Sequence, residues 1–83
     1  MESTVNAIGY RFIRSGDLEK ALEVLQLNTE YFPKAFNTWD SLAEVYMLKG
    51  NKDLAVRYYK KSLELNPGNT NAVNQIKKLE SGQ

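Results

Sequence analysis

The stretch WDSLAEVYMLKGNKDLAVRYYKKSLELNP, residues 39–67, decides the fold. Trp39, Leu42, Ala43 and Tyr46 recur at steps of three and four, the spacing of one helical face. Gly50 and Asn51 follow. Glycine ends a helix readily in the left-handed region, and asparagine is a good N-cap for the next one. Leu54, Ala55, Tyr58, Tyr59, Ser62 and Leu63 then form a second inward stripe. Pro67 lacks an N–H and stops that helix. The unit is therefore helix, tight turn, helix, stop. About 34 residues upstream it returns in weaker form, as Val5, Ile8, Gly9, Phe12, Gly16, Ala21, Leu25 and Pro33. Downstream it restarts at Val73 and Ile76. A period of this length marks stacked copies of one supersecondary unit, each burying its apolar face against a neighbour.

Working outward, the pattern predicts a helix over 4–15 with Ser3 as its N-cap, Gly16 as its stop and Asp17 as the next cap. A helix over 18–31 follows, with Leu18, Ala21, Leu22 and Leu25 facing inward. Pro33 ends it and turns Phe32 away from helical angles. The third helix, 36–48, has no good cap at Lys34 or Ala35. The fourth spans 52–65. Pro67, Gly68 and Asn69 break the chain and cap a last helix over 70–80, where Val73, Ile76 and Leu79 make one apolar stripe under a polar back. The chain thus reads as a single domain over 1–83: repeat one 2–35, repeat two 36–69 and a capping helix 70–80. Trp39 and Tyr46 are expected in the core. The first repeat has no cap of its own, and arrays usually need about three units to bury a continuous core. Either the chain belongs to something larger, or its open first repeat pairs with a second copy.

Composition narrows the function. The chain has 83 residues, close to the lower size at which one apolar core suffices, and a formal net charge of +1. Acids and bases are interleaved, without the clustered basic excess of a nucleic-acid binder. The absence of cysteine excludes disulfides and thiolate metal sites. The absence of histidine excludes histidine triads and histidine zinc sites. No apolar run reaches the ~20 residues of a membrane helix, and the N-terminus has no signal-peptide shape. The compartment stays open, cytoplasmic if the chain is complete. The glycines are too scattered for a phosphate loop. Asp40 and Glu44 share one helix face, but two carboxylates fall short of the six or more oxygens calcium takes. Lys60-Lys61 and Lys77-Lys78 read as solvated faces. The expectation is no enzyme, no cofactor, no metal, no nucleic acid and no membrane.

The 39–67 pattern resembles the tetratricopeptide repeat family, with Ala43 for its small glycine and Tyr59 for its phenylalanine. The resemblance covers essentially the whole chain. It implies an all-α fold, an α-α superhelix of two helix-turn-helix repeats plus the cap. It also implies that Gly9, Ala21 and Ala43 are small because helices cross closely there. The usual peptide site is the concave groove of the first helices of each repeat. The positions implied here are Ser3, Asn6, Tyr10, Ile13 and Arg14, then Asn37, Asp40, Glu44, Met47 and Leu48, then Asn71, Asn74 and Lys78. One reading has a short protein segment held by Tyr10 and Met47 with its basic group near Asp40 and Glu44. The other has Arg14 paired with Glu44 across adjacent helices. The carboxylate clamp of one subclass is missing: the matching positions hold Asn6 and Tyr10, then Asn71 and Gln75.

A narrower likeness rests on Ile8-Gly9-Tyr10, Leu27-Asn28, Phe32-Pro33, Asn37, Asp40 to Glu44, Tyr46, Tyr58 to Leu63 and Asn69 to Ala72. These runs are similar to the tetratricopeptide tail of bacterial serine hydrolases of the β-lactamase-like and esterase type. That likeness implies an appended structural, oligomerising or regulatory tail, with a homodimer through the uncapped first repeat. It carries over no catalytic residue. Ser41 sits within a helix and is no nucleophile.

Overall fold

The computed structural model describes residues 2–81, with side chains described from Asn6 to Ser81. Five helices follow one another: α1 Glu2–Ser15, α2 Leu18–Tyr31, α3 Phe36–Leu48, α4 Lys52–Leu65 and α5 Thr70–Glu80. The last four have the bounds the sequence predicts. The first begins at Glu2, so Ser3 lies inside it rather than capping it; the Ser3 and Val5 side chains lie outside the described residues.

The same local chemistry is used twice. After α1, Gly16 N–H bonds to Ile13 O at 3.0 Å and Asp17 N–H to Phe12 O at 2.9 Å. After α3, Gly50 bonds to Met47 O at 3.0 Å and Asn51 to Tyr46 O at 2.9 Å. Gly16 and Gly50 sit at φ +86° and +83°, where a Cβ would be strained. Each turn ends in an Asx cap: Asp17 accepts from Lys20 N at 3.2 Å, and Asn51 from Leu54 N at 3.3 Å. The stops before Pro33 and Pro67 also match, with Phe32 N–H on Asn28 O and Asn66 N–H on Ser62 O, both at 2.9 Å. The α3 start has no side-chain cap, as expected; the Thr38 hydroxyl instead donates to Ala35 O at 2.8 Å.

Two apolar clusters form between the helices. The first joins Ala21, Leu25, Leu42 and Val45, with Phe12, Ile13, Leu18 and Leu22 packed on it. The second joins Ala43, Ala55, Tyr59, Ala72 and Ile76, with Met47, Leu63 and Leu79 packed on it. Tyr46 and Tyr58 touch both. The Tyr58 ring stacks on Tyr46 at 5.4 Å and on Trp39 at 5.7 Å between centroids. Trp39 and Tyr46 are therefore half-buried, not core as expected. They share a stack whose outer side meets Lys61, and the Trp39 indole N–H reaches Pro33 O at 2.8 Å. The fully enclosed aromatic is Tyr59, 1% exposed.

Ile8 also departs from the sequence reading. It was expected in the buried stripe of α1 but is 40% exposed, whereas Leu42, its counterpart in the second repeat, is 2% exposed. Leu42 packs on Ala21 and Leu25 of α2; no described helix plays that part for Ile8.

At the other end a polar network fastens α5. Asn69 Oδ1 caps Ala72 N at 3.3 Å, and its Nδ2 donates to Ser62 Oγ at 2.8 Å. Ser62 Oγ donates onward to Phe36 O at 3.0 Å. Asn69 and Ser62 are both buried, so each bond is made where water cannot replace it.

Candidate interaction groove

Helices α1, α3 and α5 open the first, second and third units. α1 and α3 meet directly in the groove. The Tyr10 hydroxyl donates to Glu44 Oε1 at 2.9 Å. Ser41 Oγ lies 3.4 Å from the same phenol oxygen while donating to Asn37 O at 2.9 Å. One turn back along α3, Asp40 accepts from Asn69 Nδ2 at 3.4 Å and from Asn71 Nδ2 at 3.3 Å to each oxygen. Both carboxylates are half-buried. The donors that meet them are a phenol and two amides, all neutral. Among the described residues no cation forms an ion pair with either.

The electrostatics follow from burial. Desolvation holds the Asp40 carboxyl above the usual carboxylate range, although the Asn69 and Asn71 amides work against it. Desolvation pushes the Tyr10 phenol up to about 12; Ser41 lowers it, and the Glu44 charge and hydrogen bond raise it. The buried Tyr59 phenol is pushed up by desolvation and then by Asp40 and Glu44. The groove centre is a negative site walled by protein and supplied with neutral donors. It suits a ligand that brings a cationic donor.

The expected site residues divide into those brought together and those used elsewhere. Tyr10, Asp40, Glu44 and Asn71 form the centre. Asn37 contributes its carbonyl to Ser41. Asn6 is half-buried, and its Oδ1 is enclosed without a hydrogen-bond partner among the described residues. Ile13 packs on the first core cluster, a correction to its place on the groove rim. Arg14 is exposed and makes no ion pair among the described residues; Glu44 is taken by Tyr10 instead. Met47 is divided, touching the second core cluster and lining a surface pocket with Lys78. Asn74 is exposed, and Leu48 is 49% exposed. Of the two lysine pairs, Lys60 binds Glu80 at 3.3 Å and Lys61 lies over Trp39. Sequence reasoning missed Ser41 and Asn69 as the groups that orient Tyr10 and Asp40. Asn69 was read only as a cap, a role it also fills. Among the described residues no cluster of acids suited to a metal occurs, and no helix is long and apolar enough to cross a membrane.

Comparison with known proteins agrees with this geometry. Residues 36–69 match the family model for the tetratricopeptide repeat. The chain is similar to superkiller complex protein 3 of Homo sapiens, 31% identical over 72 residues, and equally to that of Mus musculus. Tetratricopeptide repeat protein 37 of Xenopus laevis is 29% identical over the same length. Each match takes in 87% of this chain, which spans about 5% of the length of these curated relatives. Residues 36–69 thus match a tetratricopeptide repeat, within an all-α stack of helix-turn-helix units consistent with a superhelix of the tetratricopeptide type.

Proposed function

We propose that this chain is a protein-interaction module that binds a peptide or partner domain along the α1–α3–α5 groove, with a basic side chain of the partner seated at Asp40 and Glu44. The observation that carries the reading is the pair of half-buried carboxylates satisfied by neutral donors alone. A partner guanidinium adds charge-assisted bonds there and displaces no existing cation. Tyr10 flanks the site on one side, and Met47 offers an adaptable apolar contact one turn further on. The human relative is by name a protein of a complex, in keeping with a role in assembly.

The test uses short N-acetylated, C-amidated peptides with one arginine between leucines, titrated into labelled protein and followed by amide chemical shifts. Shifts are expected at Tyr10, Asp40, Glu44 and Asn71. Glu44→Gln keeps an acceptor for Tyr10 but removes the charge, and is expected to weaken binding by about tenfold. Unchanged affinity in that variant would refute the reading.

A second reading is favoured by the open face of the first repeat, where Ile8 is exposed and its counterpart Leu42 is covered. In it the chain is an appended structural or regulatory tail that self-associates through that face, as the likeness to hydrolase tails implies. Sedimentation velocity decides this. A dimer that Ile8→Glu converts to monomer supports the second reading, and a monomer at all concentrations rejects it.

A further inference from the structure

Beyond the acidic groove centre, a second site of opposite character lies at the other end of α3. A surface pocket of about 450 Å³ opens between the end of α3, the first turn of α4 and the last turns of α5. Its apolar lining includes Met47 and Leu79, both half-buried, and its polar rim has Lys52, Gln75 and Lys78. Lys52 and Lys78 come from different helices and converge on one opening. Both are exposed, and neither forms an ion pair among the described residues. No acid lines this pocket among the described residues. Glu80 binds Lys60 and Glu44 accepts from Tyr10, while Asp53 shares the adjoining hollow with Lys49, Asn51 and Lys52. Lys52 is also the first residue of α4, so the positive end of that helix dipole adds to the field.

An apolar floor between two unpaired ammonium groups selects an apolar side chain with a carboxylate beside it. Polar peptides gain nothing from Met47 and Leu79, and basic peptides meet two like charges. We propose that this pocket docks an acidic segment of a partner protein, one large apolar side chain flanked by Asp or Glu, with the apolar group on Met47 and Leu79 and the carboxylates at Lys52 and Lys78. The proposal rests on the chain being a protein-interaction module but is separable from the Asp40–Glu44 centre: Met47 borders both, while the charged groups that select the ligand, Asp40 and Glu44 there and Lys52 and Lys78 here, differ. Together the two sites make the surface bipolar along α3, which fixes the direction in which a segment of mixed charge lies across it.

The probe is a fluorescein-labelled, C-amidated peptide with leucine-phenylalanine between pairs of glutamates. Saturable amide shifts are expected at Met47, Lys52, Gln75, Lys78 and Leu79. The double variant Lys52→Glu/Lys78→Glu is expected to weaken binding by about tenfold or more, because attraction becomes like-charge repulsion. Both sites are exposed, so its circular dichroism should match the parent. Alanine in place of leucine-phenylalanine in the probe should weaken binding comparably. Glu44→Gln should leave this probe unaffected, and the lysine double variant should leave the arginine peptide unaffected, so each proposal fails separately. Shifts located elsewhere, no saturation at millimolar peptide, or full affinity in the folded double variant would overturn the proposal.

Discussion

Tyr59→Ala is expected to lower the unfolding free energy by about 3–5 kcal/mol, the range for truncating a fully buried aromatic. Tyr59 is the largest fully buried side chain, and its cluster partners include Ala43, Ala55 and Ala72, each 0% exposed. Alanines have no side-chain torsion with which to fill a hole, so the cavity stays open and the cost lies toward the upper end. At roughly 0.05–0.15 kcal/mol per residue, a chain of 83 residues has about 4–12 kcal/mol in total. The variant should lose at least about a quarter of that stability, which urea titration of the helical circular dichroism will show as a lowered midpoint. Trp39→Ala should cost less. It removes a half-buried ring, its hydrogen bond to Pro33 O and one side of the stack on Tyr58, but no enclosed volume. A Tyr59→Ala loss below about 1.5 kcal/mol would mean that the α3–α4–α5 layer closes over the gap.

The second large effect lies where α1 crosses α2. A Cβ placed on Gly9 would lie 2.5 Å from Leu25 Cδ2 and 2.6 Å from its Cγ. Leu25 is 0% exposed and enclosed by the first cluster, so it has no room to withdraw. Gly9→Ala gains about 1 kcal/mol of helix propensity and loses about 1–3 kcal/mol to overpacking, for a net loss of up to about 2 kcal/mol. Leu25→Ala alone should cost about 2–5 kcal/mol. In the double variant the shortened residue 25 makes space for the new methyl group. The two losses should therefore sum to more than the double variant's loss, by at least about 1 kcal/mol. Equilibrium unfolding of the four proteins measures this coupling. Simple additivity would show that α1 and α2 shift apart rather than clash.

These two positions also separate local from tertiary information. The bounds of α2, α3, α4 and α5 were legible because each end is written in local chemistry. Glycine supplies the left-handed turn at Gly16 and Gly50, proline removes a donor at Pro33 and Pro67, and Asp17, Asn51 and Asn69 cap the following helix. The repeat was legible because its period survives substitution of individual residues. The small residue at Gly9 was expected from the family resemblance, but the identity of its neighbour, Leu25, was not.

What the sequence determined by itself, then, is the number of helices, their order, the helix-turn-helix period and the stripe that carries Asp40, Glu44 and Met47. Tertiary structure decided what that stripe meets. Periodicity treats Ile8 and Leu42 alike, and only the helix lying over one of them makes Leu42 core and Ile8 surface. The sequence offers Glu44 to Arg14 or to a partner's basic group, and the α1–α3 packing instead brings the Tyr10 phenol to 2.9 Å. It sets Trp39 and Tyr59 alike on inward stripes, yet Trp39 packs at the edge and Tyr59 between three helices. The pocket of Lys52 and Lys78 is composed of residues distant in sequence on three helices, so no local pattern could announce it. The physical reason is common to all four: helix formation follows from neighbours in the chain, whereas burial and pairing depend on which surfaces the stacking of one repeat on the next removes from water.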